Sequence, residues 1–503
     1  MSKKMVFLLL ACCCLAGAFS QAQSKLTQQQ FTAELDNFTQ KILERVPVIP
    51  AITITIVSEN GAVFNKAYGW ANKETGLKAD INTAFYIASS TKSFTALAAA
   101  LLDNEKKILL DDPVKKYLSF SSDIGDDVTI RSLLTHTSGL ENNPLVFRMA
   151  FSGMTEEKEM MKVLTNGTTA RARPGAYKYD NLGYNIYALA LQERLHVKWQ
   201  DLLQDKIFTP LGMKRTTACV SHAKKNNWPV AMPYNAYGVN GLERVYLEKN
   251  DNTMQSAGGL ITTPSDIAMW LQAQINNGKI KNKQVFPEQV MKAVHTGVAP
   301  YERGTGIFAA PGKYGLGWLV SQYRNENIVF HFGGFPGFRT HISFMPGKKT
   351  GLAIFVNEST VGSVAADMLA GYIYDWITGQ ENITDTYNKK LDELEANHKR
   401  AIDGSQRSYA DRAKRTWQLS LPLETYAGKF RHEFFGDMDV TVDNNVLAVK
   451  MGNLYAVSTP FTQKESIRVE LIPGTGQVVY FKLDESGKVN SLSYDGQQYK
   501  RVF

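Results

Sequence analysis

Residues 85–103, Phe-Tyr-Ile-Ala-Ser-Ser-Thr-Lys-Ser-Phe-Thr-Ala-Leu-Ala-Ala-Ala-Leu-Leu-Asp, constrain the chain more than any other stretch. A short apolar run ends at Ala88. From Thr91 onward Ala and Leu dominate without Gly or Pro, which predicts a buried helix beginning near Ser89. Lys92 is three residues beyond Ser89, so a helical turn sets its ammonium beside the serine on one face. The unpaired N–H groups of a first turn favour an anion, whether a serine alkoxide or the oxyanion formed after attack on a carbonyl. Surrounded by apolar residues, Lys92 is poorly solvated, and a desolvated lysine has a depressed pKa that lets it act as a base. This is the layout of an activated acyl-transfer nucleophile, and it asks the rest of the chain for a second acid/base group and an oxyanion donor.

Residues 1–22 read as an export signal, with Lys3 and Lys4 ahead of the apolar run 5–18 and small residues at Ser20 and Ala22. The run is too short to span a bilayer. The alternative is a lipoprotein signal, Leu9-Leu10-Ala11-Cys12, with a lipid anchor at Cys12. Either way the chain is expected to be exported, to the periplasm or beyond. Cys12, Cys13 and Cys14 lie in this segment, so simple cleavage leaves Cys219 alone. An internal disulfide is then impossible and a packed core must hold the fold. The length of 503 residues suggests two or more domains, and the 44% hydrophobic content is that of a globular protein. The formal charge of +8 falls to +6 once Lys3 and Lys4 are removed. With no basic block and no nucleic-acid motif, that excess reads as a solvated surface and not as a nucleic-acid partner site.

Residues 51–57 alternate β-branched side chains, Glu59-Asn60-Gly61 is a turn, and 62–69 resume an extended pattern, so a hairpin leads toward the Ser89 helix. His136, in Leu-Leu-Thr-His-Thr-Ser-Gly-Leu, reads as a histidine tying down a loop, since no acid lies near it in sequence. In Tyr177-Lys178-Tyr179-Asp180-Asn181, Tyr179 and Asn181 are two apart, so an extended loop points both into one cleft. There the tyrosine can exchange a proton if an ammonium lowers its pKa, and the asparagine can bind an amide. After Ala257-Gly258-Gly259 comes a helix capped by Thr263, with Pro264 in its first turn and Gly278 ending it, read as structural. Residues 315–322, 328–332, 338–345 and 351–357 read as a strand meander containing His331-Phe332-Gly333-Gly334. Residues 385–418 are charged and helical. From 421 to 503, short alternating runs separated by Asp-Asn-Asn, Pro-Gly-Thr-Gly and Asp-Gly turns predict a small antiparallel barrel or sandwich that folds by itself.

Ser89-Ser90-Thr91-Lys92, Tyr179-Asp180-Asn181 and His331-Phe332-Gly333, in this order, resemble the signature of the serine β-lactamase and penicillin-binding protein superfamily, in its class C-like branch. The resemblance runs from about residue 50 to 377. It implies an α+β fold: an antiparallel sheet made from both ends of the catalytic region and flanked by helices, beside a helical subdomain, with the cleft between them. A small all-β barrel-like domain follows. The expected divisions are a signal peptide over 1–22, a hydrolase domain over 23–384, a charged helical linker over 385–420 and the β-domain over 421–503. By position Ser89 is the expected nucleophile, Lys92 its proton partner and Tyr179 the second acid/base group. Asn181 is expected to orient the acyl group. The backbone N–H groups of Ser89 and Gly334 form the expected oxyanion hole, with His331 and Gly333 on the substrate-binding strand. Neither metal nor other cofactor is implied, and the partner is a small-molecule or peptide substrate.

His331 and Phe332 depart from the Lys-Thr-Gly strand of many relatives. The first replaces a permanent cation by a group mostly neutral at pH 7, and the second removes a hydroxyl. Both weaken recognition of a substrate carboxylate. Short esters or D-residue peptides are therefore expected substrates ahead of cephalosporins, and exchanging both residues for Lys and Thr should move selectivity toward the latter. The competing reading is a catalytically idle relative that binds cell-wall peptides. Ser89, Lys92, Tyr179 and Asn181 together favour the enzyme, because a binder needs no proton machinery.

Overall fold

The computed structural model describes residues 27–304 and 306–502; the export-signal and Cys12 readings fall on residues 1–22, outside that range. The first helix, α1 (Gln28–Arg45), starts on a capping box. The Thr27 hydroxyl accepts the Gln30 N–H and the Gln30 side chain accepts the Thr27 N–H. Its apolar face, Phe31, Leu35, Phe38 and Ile42, is buried. The expected hairpin follows as β1 (Ala51–Ser58) and β2 (Gly61–Asn72), with a bulge at Ile56 and Val57.

These strands join others from the far end of the region. With β3 (Leu77–Lys78), β4 (Ala299–Tyr301), β5 (Gly312–Tyr314), β6 (Leu319–Tyr323), β7 (Glu326–Phe335), β8 (Phe338–Met345) and β9 (Thr350–Val356), the order is β4-β5-β6-β7-β8-β9-β1-β2-β3, antiparallel throughout. β1 is an interior strand, covered on both faces. Ile52, Ile54 and Ile56 meet α1 and the helix Val361–Ile377 in one core. On the other face Thr55 approaches the Pro264 carbonyl at the start of the helix Pro264–Ile275. That helix has its expected cap: Thr263 accepts the Asp266 N–H, while Asp266 accepts from the Arg215 amide and the Thr216 hydroxyl.

The serine-bearing stretch enters as a 3-10 turn, Ala88–Ser90, and continues as the α-helix Thr91–Asn104. Residues 91–102 of it are all buried, and Phe94 stacks on Trp270 of the 264–275 helix at 3.8 Å between ring centroids. The Ala/Leu composition thus gives the core helix it predicts, wedged between sheet and helical subdomain. One boundary differs. The strand expected over 315–322 begins at Leu319, because Gly317 takes φ 77° and packs against the Lys92 carbonyl and Ser93, where a side chain would collide.

The charged stretch after residue 382 is one helix, Ile383–Ala413, which buries Tyr387, Leu391 and Leu394 and takes Arg45 into ion pairs with Asp392 and Glu395. Beyond it nine strands form a nearly closed, barrel-like antiparallel sheet from Gly428–His432 through to Gln497–Val502, the first and last of these being paired inside it. Its core is not its own alone. Val245 and Leu247 of the catalytic region are buried among Phe430, Met438, Leu447 and Leu492, and the Tyr246 hydroxyl donates to the Leu471 carbonyl. Arg148 donates to the Phe434 carbonyl at 2.7 Å, and the Asn453 amide to the Ser152 carbonyl at 2.8 Å. The β-domain expected to fold by itself is thus packed against the catalytic region, and its apolar cluster takes in the 245–247 segment. Leu247→Ala should therefore destabilise by about 2–5 kcal/mol, the cost of a large-to-small change in a core. A lowered urea midpoint with an unchanged denaturant slope checks this.

Candidate active site

Two adjacent serines face opposite ways. The Ser90 hydroxyl is wholly buried, 3.0 Å from the Thr340 hydroxyl and 3.4 Å from the His331 carbonyl, and Thr340 in turn donates to the Ile87 carbonyl. These bonds pin the 87–90 turn to β7 and β8. Gly333 permits the approach, since a Cβ there would collide with the Ile87 carbonyl oxygen and the Thr340 hydroxyl. Ser89 is left facing a cavity of about 270 Å³, also lined by Tyr177, Tyr179, Tyr301, His331 and Gly334. Ala88, just before it, is held at φ 45°, a left-handed conformation that costs a non-glycine residue roughly 1–2 kcal/mol. Strain of this kind persists only where the surroundings fix it, here by the Ser90 and Thr340 bonds.

Lys92 is completely buried, with its Nζ 3.2 Å from Ser89 Oγ, 2.7 Å from Asn181 Oδ1 and 2.9 Å from the Ala257 carbonyl. Burial lowers its pKa to about 7, partly opposed by Asp180. The partners decide where its proton goes. Asn181 Oδ1 and the Ala257 carbonyl can only accept, so they hold two N–H bonds in either protonation state. In the ammonium form the third N–H points at Ser89; in the neutral amine a lone pair takes that direction. The site therefore directs the lysine's basic position at the serine hydroxyl.

Tyr179 keeps 42% of its surface exposed, but its hydroxyl interacts with Ser89 and its ring lies 4.8 Å from Lys92 Nζ. Its pKa is pushed up by burial, with the Ser89 bond opposing. The expectation of an ammonium-lowered phenol is thus reversed: Lys92 titrates low and Tyr179 high, so at neutral pH the phenol carries its proton. Asn181 is found bonded to Lys92, immediately before the helix Leu182–Leu195. His136 does hold a loop. Its Nδ1 accepts the Asp180 N–H at 3.3 Å and its carbonyl accepts the Lys178 N–H at 2.8 Å, so it fixes the Tyr-Asp-Asn segment from behind.

His331 is buried and neutral, its pKa lowered to about 3 by burial and by the nearby Lys92 and Arg339 charges, with a bond to the Phe332 carbonyl opposing. Its Nδ1 lies 2.8 Å from that carbonyl and so carries the proton, which leaves Nε2 to accept from the Tyr314 hydroxyl at 3.2 Å. It offers the cavity neither charge nor a free N–H. Gly334, by contrast, has nothing within 4 Å of where a Cβ would stand, so its backbone is open to the cavity beside Ser89.

A model of the Beta-lactamase family matches residues 39–371, the span that holds the whole of this site. The chain belongs to that family. It is 23% identical over 436 residues to the unguisins hydrolase ungD of Aspergillus violaceofuscus, an alignment covering 81% of this chain and 76% of the relative. It is 26% identical over 343 residues to protein flp of Staphylococcus aureus, covering 66% and 63%. The fold is shared with the octameric penicillin-binding protein homologue from Pyrococcus abyssi, at a TM-score of 0.58 and 23% identity over 93% of this chain and 99% of the other.

In this beta-lactamase-family chain the cations missing from the His331 strand are supplied from elsewhere. Arg303 and Arg339 both line the cavity, and the Arg339 guanidinium lies 4.7 Å above the Phe332 ring with Asp367 at 3.7 Å. Phe332 is itself a core residue, packed with Phe308 and Phe330. An exchange to threonine would remove the platform under Arg339, so the double His331 and Phe332 exchange does not act on the cavity alone. Sequence reading missed Arg339, which is paired with Gly334 in the β7–β8 register. It also missed Ala257, read as structural, whose carbonyl holds Lys92. The Ala-Gly-Gly motif was the only signal for the latter.

Two outcomes follow for Ser89. A serine-directed phosphonate should label Ser89 and not the buried Ser90, with Ser89→Ala abolishing the label. Because the base works only when unprotonated, the labelling rate should rise with pH, with a midpoint about 7, and level above it. A flat profile across that window would contradict the role of Lys92.

Proposed function

We propose that this protein is an exported serine hydrolase that cleaves an ester or amide through an acyl-enzyme on Ser89. The observation that carries the reading is the Lys92 amine, held by two acceptor-only partners so that its basic position meets the Ser89 hydroxyl. Ser89 Oγ attacks the substrate carbonyl carbon as its proton passes to Lys92 Nζ. The tetrahedral oxyanion is stabilised by the Ser89 and Gly334 N–H groups. The C–O or C–N bond then breaks and the leaving group takes a proton through the Tyr179 hydroxyl, which is replenished by the Lys92 ammonium formed in the first step and titrating at about 7. Water hydrolyses the acyl ester by the same groups in reverse. That the relative ungD is named a hydrolase is in keeping with this chemistry.

The substrate class is an ester or D-residue peptide, in a cavity walled by tyrosines and bordered by two arginines. Lys92→Met and Tyr179→Phe should each lower kcat by about 10²–10⁴, the range for a positioned acid/base group, with the fold retained. A panel of p-nitrophenyl esters, D-amino-acid amides and a chromogenic cephalosporin, run on one preparation, checks the class. Turnover of the first two with poor turnover of the cephalosporin is expected. Binding of all three without turnover would establish the idle binder instead.

A further inference from the structure

A second cavity of about 270 Å³ lies on the other side of the nucleophile turn, and no residue lines both. Its walls include Tyr86, Trp228, Val230, Met232, Phe335 and Phe338. Phe335 directly follows Gly334 on β7. The Tyr86 hydroxyl donates to the carbonyl of Gly258, a residue packed against the Ala88–Ser89 backbone. The cavity is thus one residue layer from the active site.

Its walls are apolar, yet Lys249 lines it. The ammonium lies 4.1 Å from the Phe335 ring centroid, with Tyr86 and Phe151 at 5.5 and 5.7 Å. Two of its N–H groups are taken by the carbonyls of Ala150, at 2.5 Å, and Thr253, at 3.3 Å, which leaves a third. Half-buried, Lys249 pairs with no carboxylate of the described residues, and desolvation lowers its pKa to about 7. Glu248, which also lines the cavity, is paired with Arg244. Lys224, a second cation, stands at the same cavity. A largely apolar chamber whose Lys249 ammonium has no carboxylate partner matches a ligand that brings one on a hydrocarbon body.

We propose that this cavity binds an organic acid with an apolar body, an arylalkyl or branched-chain carboxylate, whose carboxylate pairs with Lys249 while its hydrocarbon lies against Phe335, Phe338 and Trp228. A neutral molecule of the same shape would fill the walls and leave the cation uncompensated. The acid has two possible sources, a free small molecule or an acidic limb of the substrate that acylates Ser89. The site itself does not depend on the hydrolase reading.

The test is calorimetric titration of the full chain with 4-phenylbutyrate, 4-phenylbutanol and 4-phenylbutyramide. The acid should bind at least about tenfold more tightly than either neutral probe, the value of one charge-assisted hydrogen bond. Lys249→Met should bring it to their level. Because Lys249 also ties two backbone segments, Val230→Trp serves as a second variant, filling the chamber without touching the lysine, and should abolish binding of all three. Equal affinities in the unmodified protein, an acid preference that survives Lys249→Met, or acid binding unaffected by Val230→Trp would each overturn the proposal. So would no binding of any probe at millimolar concentration. Saturating 4-phenylbutyrate that slows phosphonate labelling of Ser89 identifies the site as a substrate limb, and an unchanged rate identifies a separate ligand. A protein whose Ser89 takes no label would still be read by the titrations.

Discussion

The burial of one ammonium group organises the catalytic region. Lys92 sits in a helix sealed from solvent over residues 91–102, and an isolated charge there would cost several kcal/mol. Its contacts come from Ser89 on the same turn and from two segments distant in sequence, Asn181 at the start of the Leu182–Leu195 helix and Ala257 ahead of the 264–275 helix. The nearby charge then acts outward. Together with burial it keeps His136 and His331 neutral, and so fixes both as hydrogen-bonding groups and not cations.

That lysine also explains how much of the site was legible beforehand. Ser89 and Lys92 share one helical turn, so their pairing follows from period alone. The β1–β2 hairpin and the Thr263 cap are equally local, each written within one continuous stretch. What escaped was set by contacts between remote segments. Ala257 contributes a backbone carbonyl, which no side chain advertises. Arg339 matters because β7 and β8 pair it with Gly334, a register visible only once the sheet is formed. The raised titration of Tyr179 has the same origin, since the His136 and Tyr314 rings that enclose it come from segments remote in sequence.

The departures at 331 and 332 acquire a physical meaning in the fold. A neutral histidine with both nitrogens engaged is a wall, and Phe332 is a core side chain that carries a guanidinium on its face. Positive charge is therefore displaced to the cavity rim, onto Arg303 and Arg339, and is not aligned along the strand. Burial lowers the Arg339 pKa while Asp367 opposes it, so this cation is partly spoken for within the protein. A substrate anion meeting it competes with Asp367, which tempers the attraction that a free arginine would exert.

β7 links these features to the far domain. Its end carries His331, Gly333 and Gly334 past Ser89 and finishes at Phe335, whose ring stacks on Phe151 at 5.9 Å. Phe151 lies in the 148–152 turn that Arg148 and Ser152 fasten to the barrel, and both rings pack against the barrel's apolar cluster. The two cavities are therefore separated by a strand that is anchored at one side by the Ser90 and Thr340 bonds and at the other by the C-terminal domain. Since paired strands and packed cores yield little without repacking, the position of the Gly334 amide relative to Ser89 is set by both anchors together.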